Sequence, residues 1–222
     1  MKYGILGSGM VGKALAGKLS SLGHDVVIGT RSPEKDPKRD KENAGIESIR
    51  VTTFQEAAAF GETLISCTAG ATSVDALRSV SPQDLVGKLL IDVSNPLDFS
   101  HGMPPTLSIC NTDSLGETLQ REFPALKVVK ALNTCNCQVM VDPSRVPGEH
   151  DLFIAGNGTA AKQQVAGLLR EFGWRTIHDL GDITYARATE QLMPLWLRLF
   201  GQYGSTDFNY RIVKSAAIAS SR

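Results

Sequence analysis

Apolar and polar residues alternate along the first 180 residues in a pattern that predicts strands and helices in turn. Short apolar runs bounded by glycine, proline or polar residues predict strands near residues 3–6, 26–28, 49–52, 63–68, 89–93, 126–131, 151–155 and 174–180. Apolar residues spaced three or four positions apart predict helices at 11–22, 54–60, 73–80, 115–123 and 160–172. This alternation predicts an α/β fold with a doubly wound parallel sheet.

Capping signals mark several of the predicted helix ends. Thr53 and Glu56, and again Ser114 and Glu117, have the spacing of a capping box, in which each side chain bonds the other residue's backbone N–H. Gly23 is expected to end the first helix in the left-handed conformation. These signals predict helices that begin at residues 54 and 115.

Glycines follow the first predicted strand in the pattern G-x-G-x-x-G. We expect Gly7 to permit a tight turn, Gly9 to let a pyrophosphate approach the backbone, and Gly12 to let helix and strand pack closely. The N–H groups of this turn and the positive end of the helix would then face the phosphates. The pattern lies inside a βαβ unit and therefore predicts a dinucleotide site. Its residues are Gly7, Ser8, Gly9, Met10, Val11 and Gly12.

A phosphate-binding P-loop is the alternative interpretation of the same stretch. Gly7, Gly12 and Lys13 fit G-x-x-x-x-G-K, and residues 89–92 resemble a Walker B strand. A P-loop requires a hydroxyl after the lysine to hold magnesium, and position 14 is alanine. The missing hydroxyl favours a dinucleotide over a nucleoside triphosphate.

The residues after the second predicted strand bear on which dinucleotide binds. An NAD site has an acidic residue about twenty positions after the glycines, to bind the ribose 2′-hydroxyl. The chain instead has Thr30, Arg31 and Ser32 there, followed by Lys35. A guanidinium, an ammonium and two hydroxyls would bind the oxygens of a 2′-phosphate. We therefore expect NADP(H).

Further site residues follow from the rule that ligands bind outside the carboxyl ends of the strands. At these ends the sequence has Thr68, Ala69, Gly70, Asn95, Pro96 and Asn133. The long loop at residues 97–113 would hang over the same edge, and loops of this length are usually functional or mobile.

The pattern changes at about Gly181, and the predicted domains are residues 1–180 and 181–222. Leu192, Leu195, Trp196 and Leu199 form a helical stripe that Pro194 is expected to kink. Residues 206–219 are predicted to form a last helix. This apolar surface could pack on the main domain, on a second subunit or around a planar ligand, and the pattern leaves these three open.

Composition excludes several classes of function. The 222 residues carry 23 basic and 23 acidic side chains, which argues against nucleic acid and acidic membrane surfaces as partners. No run of apolar residues is long enough for a transmembrane helix, and no signal peptide precedes the first strand, so we expect a cytoplasmic protein. The four cysteines have neither disulfide nor zinc spacing, so no metal is expected; they are Cys67, Cys110, Cys135 and Cys137.

Four blocks of sequence resemble the NADPH-dependent deazaflavin (coenzyme F420) reductases over almost the whole chain. The blocks are 7–12 (GSGMVG), 29–32 (GTRS), 92–96 (DVSNP) and 129–134 (VKALNT). They are also similar to the oxidoreductase domain of the six-transmembrane ferric reductases. The resemblance implies a Rossmann-type, mostly parallel sheet extended by late strands, a small C-terminal helical part and a homodimer. It also implies that Thr30, Arg31 and Lys35 hold the 2′-phosphate, while Ser32 stands where the family often has a second arginine.

The resemblance further implies hydride transfer between NADP(H) and a small-molecule acceptor, either coenzyme F420 or a flavin. Such a transfer needs positioning of the two rings more than acid–base catalysis, so no catalytic residue is assigned. Reduction of a small imine or hydroxy-acid partner would instead need a proton donor. A regulatory module that binds NADPH without turnover is the third hypothesis.

Few residues qualify as that donor. Tyr210 and Lys214 have the Tyr-x-x-x-Lys spacing of short-chain dehydrogenases, but the glycine pattern of this chain differs from theirs. His101 lies in the long loop, where exposure to solvent is the simpler interpretation. Glu190 is expected to be a surface or helix-supporting carboxylate. The other histidines are expected to be structural; they are His24, His150 and His178.

Overall fold

The computed structural model describes residues 1–33, 46 and 48–215. Eight of its strands form one sheet: β1 (Lys2–Leu6), β2 (Asp25–Thr30), β3 (Arg50–Thr53), β4 (Thr63–Ser66), β5 (Leu89–Asp92), β8 (Lys127–Ala131), β9 (Asp151–Gly156) and β10 (Thr176–Asp179). Two further short strands, β6 (Leu97–Asp98) and β7 (Thr106–Leu107), pair with each other inside the predicted long loop. The helices are α1 (Met10–Ser21), α2 (Phe54–Phe60), α3 (Gly70–Arg78), α4 (Leu115–Glu122), α5 (Cys137–Val141), α6 (Thr159–Phe172), α7 (Ala186–Gln191) and α8 (Met193–Tyr203).

The strand order is β10-β9-β8-β5-β4-β1-β2-β3, which confirms the doubly wound, mostly parallel sheet. Neighbouring strands are parallel except β8 and β9, which pair antiparallel with Ala131 opposite Ile154. The connections after β1 and β4 lead to opposite sides of these two central strands. A crevice therefore lies between the carboxyl ends of β1 and β4, where doubly wound sheets bind ligands.

Both faces of the sheet are buried, and adjacent residues of each strand supply opposite faces. Ile5 packs with α1, α5 and α6, whereas its neighbour Leu6 packs with α2, α3, α4 and α7. Ile65 and Leu64 divide between the faces in the same way. Because side chains alternate along a strand, an uninterrupted apolar run fills two cores at once. This explains why the strands have apolar runs rather than alternating patterns.

The capping predictions were correct at Thr53 and half correct at Ser114. Thr53 Oγ1 accepts the N–H of Glu56 at 3.2 Å, and Glu56 Oε2 accepts the N–H of Thr53 at 3.2 Å. Ser114 Oγ accepts the N–H of Glu117 at 3.1 Å, but the N–H of Ser114 donates to Asp113. The Glu117 carboxylate is instead bonded to Ser114 Oγ and to Arg187. The ion pair between Glu117 and Arg187 therefore takes the place of the hydrogen bond from the Ser114 N–H to Glu117 that a full capping box would contain.

Two predictions for the C-terminal part were wrong. Pro194 kinks no helix; α7 and α8 are separate helices joined at Leu192, and Pro194 lies in the first turn of α8, where its missing N–H costs little. Residues 206–215 form no helix, because the backbone bonds elsewhere: the N–H of Asp151 donates to the carbonyl of Tyr210 at 2.8 Å. The rest of the predicted helix, 216–219, lies outside the described residues. Among the helices of the described ranges, none is long and apolar enough to cross a membrane.

Candidate active site

The glycine turn has the steric form that its sequence predicts. Gly7 has φ +125°, and a Cβ there would lie 2.6 Å from the carbonyl oxygen of Cys67. A Cβ on Gly12 would lie 1.9 Å from the carbonyl oxygen of Gly7, so α1 can pack this closely on the turn only without a side chain. The N–H of Gly7 also donates to the carbonyl of Gly29 at 2.9 Å, which ties the turn to β2. The backbone leaves no alternative to glycine at either position.

Gly9 differs from its two neighbours in the pattern. A Cβ there would meet nothing within 4 Å, and the backbone is extended, with φ −74° and ψ −176°. Gly9 is the N-cap of α1, and the first turn of that helix contains no acidic residue. The exposed backbone N–H groups and the positive end of a 12-residue helix therefore face open space. This fits an anionic ligand such as a pyrophosphate.

The predicted 2′-phosphate residues lie beside this turn at the end of β2. Ser8 Oγ donates to Thr30 Oγ1 at 3.3 Å, which joins the glycine turn to the second strand. Arg31 and Ser32 are exposed. Lys35 lies outside the described residues. Arg31 directly follows Thr30, whose hydroxyl contacts the turn, and it carries the positive charge that an NADP(H) site would require after β2.

A second group of predicted residues meets on the other side of the crevice. Asn95 Nδ2 donates to the carbonyl of Asn133 at 2.8 Å, and Asn133 Nδ2 donates to Asn95 Oδ1 at 2.9 Å. A Cβ on Gly70 would lie 2.1 Å from the carbonyl oxygen of Asn95, so α3 begins in direct contact with the loop after β5. Thr68 Oγ1 lies 3.0 Å from Ser73 Oγ. Hydrogen bonds and close contacts thus join the loops after β4, β5 and β8 at the edge of the sheet.

These loops border a cavity of about 390 Å³, which we call the acceptor cavity. Seven predicted site residues line it: Met10, Val11, Thr68, Ala69, Gly70, Asn95 and Asn133. Further walls come from the long loop, through Leu97 and Phe99, from α8, through Met193, Trp196 and Leu197, and from α5, through Cys137 and Met140. Pro96 is buried behind the lining. The long loop therefore reaches the predicted edge, and α8 covers the same space.

The lining of the acceptor cavity is uncharged. Of the residues described there, none is Asp, Glu, Lys, Arg or His. Cys67, Cys135 and Cys137 contribute thiols, and burial raises the pKa of each, so these groups stay neutral at ordinary pH. No group of three His, Cys, Asp or Glu residues able to hold a metal occurs within the described ranges. The cavity suits an uncharged, largely apolar ligand.

The proton donors considered from the sequence lie outside this lining. His101 is exposed in the long loop. Tyr210 donates its hydroxyl to the carbonyl of Leu192 at 3.2 Å, and burial raises the pKa of that phenol to about 12. Lys214 is exposed in the C-terminal segment. None of the three lines the acceptor cavity.

Asp92, Lys130 and Glu190 form a buried ion cluster that was not predicted from the sequence. Lys130 Nζ lies 2.6 Å from Asp92 Oδ2 and 2.7 Å from Glu190 Oε1, and all three side chains are at most 2% exposed. Of the two roles expected for Glu190, a surface carboxylate or a helix-supporting one, the structure confirms the second, because its carboxylate accepts N–H groups at the start of α4. The available signal was the position of Asp92 and Lys130 inside apolar strands, where an unpaired charge would be costly.

A family model described as coenzyme F420-dependent NADP oxidoreductase matches residues 2–96. A crystal structure from Arthrobacter sp. FB24, provisionally named an F420-dependent NADP reductase, is 47% identical in sequence. Its TM-score is 0.92, and the match covers 96% of this chain and 100% of that one. The F420-dependent NADP reductase of Methanocaldococcus jannaschii is 28% identical over 221 residues, which are 96% of this chain and 98% of the relative.

The metalloreductase STEAP3 of Rattus norvegicus is 33% identical over 200 residues. That match covers 88% of this chain but 38% of STEAP3, so the chain spans less than two fifths of the length of this relative. Both resemblances predicted from the four sequence blocks are confirmed. The chain therefore belongs to the family of coenzyme F420-dependent NADP oxidoreductases.

Proposed function

We propose that this protein transfers hydride between NADP(H) and a deazaflavin or flavin that binds in the acceptor cavity. The observation that carries the proposal is the uncharged lining of a cavity that adjoins the glycine turn. Bound NADPH supplies the hydride, and a flavin-like ring spreads the arriving charge over its own atoms. The protein then has to hold two rings together and exclude water, which apolar walls and locked loops accomplish without an acid or base.

The proposed cofactor contacts fall into three groups. Residues 7–12 bind the pyrophosphate through their backbone N–H groups. Thr30, Arg31, Ser32 and Lys35 bind the 2′-phosphate. Thr68, Ala69, Gly70, Asn95, Pro96 and Asn133 border the nicotinamide. The two hydrogen bonds between Asn95 and Asn133 support this last group, because they hold the loops after β5 and β8 at a fixed separation.

The assembly and the surroundings of the protein are also proposals. We propose a dinucleotide-binding domain at 1–180, a helical subdomain at 181–222, a homodimer and a cytoplasmic location. The outer face of α8 supports the homodimer, since Leu195 and Tyr203 are 49% and 58% exposed there. Light scattering on purified protein measures the mass directly, and a monomer at all concentrations would contradict the homodimer.

An acceptor panel tests the proposed function. NADPH oxidation is followed by absorbance with coenzyme F420, FMN, FAD, a ferric chelate plus flavin, a cyclic imine and a 2-oxo acid. We expect turnover with the ring acceptors and none with the imine or the oxo acid, because the described lining offers no charged proton donor. The control omits the acceptor. Tight NADPH binding without turnover across the panel would contradict the proposal and favour the regulatory module.

A further inference from the structure

Lys130 lies next to the acceptor cavity, because its ammonium bonds the carbonyl of Ser94, a residue of the lining. Its ammonium has three N–H donors, and each has a partner: Asp92 Oδ2 at 2.6 Å, the carbonyl of Ser94 at 2.7 Å and Glu190 Oε1 at 2.7 Å. Burial alone would lower the pKa of Lys130, but the two carboxylates outweigh burial and raise it. The side chain therefore remains charged and fully bonded in a site from which water is excluded.

Glu190 connects this ammonium to a different layer of the molecule. Its Oε2 accepts the N–H of Leu115 at 2.9 Å, and its Oε1 accepts the N–H of Gly116 at 3.1 Å. These N–H groups belong to the first turn of α4, whose positive dipole end faces the carboxylate. The helix end thus compensates the second negative charge of the buried ion cluster. One carboxylate on α7 holds both α4 and β8.

The buried ion cluster touches two walls of the acceptor cavity. Ser94, whose carbonyl bonds Lys130, is part of the lining, and Asp92 Oδ1 accepts the Ser94 hydroxyl at 2.5 Å. Glu190 lies three residues before Met193, which together with Trp196 lines the opposite wall. The same ammonium is therefore bonded to the loop after β5 and to the helix that leads into α8.

We propose that Glu190, through Lys130 and Asp92, is a positioning residue that fixes α8 over the acceptor cavity and so sets the affinity for the hydride acceptor. The identity of the bound molecule rests on the proposed function; the fixing of α8 does not. The bonds of Glu190 within the described residues go to Leu115, Gly116 and Lys130, none of which is proposed to bind NADP(H), so the affinity for NADP(H) is expected to be independent of Glu190.

The test compares Glu190→Gln with Glu122→Gln. Glu190→Gln keeps the shape of the side chain but leaves Lys130 with one carboxylate. We expect the variant to fold, because Tyr210 and the Arg187–Glu117 pair also hold α7 and α8. Glu122→Gln makes the same chemical change in an exposed ion pair with Arg78 at the far end of α4. Glu190→Asp retains the charge with a shorter reach and serves as the conservative variant.

Two readouts separate positioning from general stability. In kinetics, Glu190→Gln is expected to raise KM for the acceptor about tenfold, with Kd for NADPH unchanged within about twofold. In hydrogen exchange followed by mass spectrometry, amides of α8 should exchange at least about tenfold faster, while those of α1 stay unchanged. Glu190→Asp should fall between wild type and Glu190→Gln, and Glu122→Gln should match wild type in both readouts.

The opposite results would overturn the positioning role. Uniform acceleration of exchange in α1, α6 and α8, with an unchanged KM, would mean that Glu190 only stabilises the fold. An equal loss of NADPH affinity would mean that it acts on the whole crevice. If wild type turns over no acceptor, the proposed function fails, yet the exchange data on α8 still decide whether Glu190 fixes that helix.

Discussion

The glycine turn and the buried ion cluster border the same crevice but are built from different ranges of sequence. In the turn, Gly12 is constrained by Gly7, five positions earlier in the same motif. In the buried ion cluster, Lys130 bonds Asp92 across 38 residues, and Glu190 bonds Leu115 across 75. The first region is defined by steric exclusion within one motif, and the second by charges that meet only after the chain has folded.

This difference predicts how each region fails when it is altered. A clash of backbone atoms cannot relax without moving the strand or the helix, so a glycine substitution should act on the whole βαβ unit. Removing one charge leaves its partners buried and unpaired, which is costly but local.

Replacing Gly12 by alanine should prevent normal folding, whereas replacing Gly9 should not. The new Cβ at position 12 would lie 1.9 Å from the Gly7 carbonyl oxygen, and at position 9 nothing lies within 4 Å. We expect Gly12→Ala to lose more than about 3 kcal/mol of unfolding free energy. Gly9→Ala should keep its melting temperature but lose NADPH affinity, because its methyl group occupies the proposed pyrophosphate space.

Calorimetry with and without NADPH measures both effects. A wild-type response to NADPH in Gly9→Ala would remove Gly9 from the proposed site, and a stable Gly12→Ala would show that the turn can relax.

Lys130→Met should cost about 3–5 kcal/mol of unfolding free energy, because Asp92 and Glu190 would remain buried without a counter-charge. The control is Arg211→Gln, which breaks an exposed pair with Glu149, and exposed pairs contribute at most about 1 kcal/mol. Urea denaturation of both variants at one pH gives the comparison. Equal losses of unfolding free energy in the two variants would contradict the expectation that burial makes the ion pairs of Lys130 more stabilising than an exposed pair.

Arg31→Ala should act on ligand binding and leave the free protein unchanged, since Arg31 is exposed. Loss of a charge-assisted bond to the proposed 2′-phosphate should weaken NADPH binding by about 1.5–3 kcal/mol, or about 10- to 100-fold, with little effect on NADH. Arg50→Ala, an exposed arginine at the start of β3, is the matched control. If NADPH and NADH raise the wild-type melting temperature equally, the assignment of NADP(H) is wrong.

Thr53 and Ser114, which cap α2 and α4, repeat the comparison between local and long-range contacts, and their replacement should have the smallest effects. Thr53 sits in a local, exposed capping box, and Thr53→Ala should cost about 1 kcal/mol. Ser114 is fully buried and also bonds the carboxylate of Glu117, so Ser114→Ala should cost about 2 kcal/mol. Chemical denaturation resolves the two values, and the reverse order would show that the buried contacts of Ser114 add nothing to its capping role.

The same division explains what the sequence could and could not predict. Adjacent residues such as Ile5 and Leu6 each had to be apolar because both faces of the strand are covered, so the strands were visible as apolar runs. The glycine turn was visible because no other residue fits at Gly7 or Gly12. These features depend on physical constraints that act over a few residues.

Features that depend on distant partners were not predictable in this way. Residues 206–215 have the apolar spacing of a helix, but the hydrogen bond from Asp151 to Tyr210 and the stacking of Phe208 on Trp196 at 5.2 Å hold the segment in another conformation. The burial of Glu190 was not predictable because its partners, Lys130 and the start of α4, are far away in sequence. The uncharged lining of the acceptor cavity was likewise not predictable, because its residues come from segments that lie far apart in the sequence.

The reversed direction of β9 determines which helix N-termini face the crevice, and so where the molecule can bind anions. Because β9 runs against β8, the carboxyl end of β9 and the start of α6 lie at the edge of the sheet remote from the glycine turn. The helix after β1 directs its positive end toward the crevice, whereas α6 directs its own away from it. The positive end of α1 thus faces the crevice beside the glycine turn, where phosphates are proposed to bind, and α6 adds no second positive helix end to that edge.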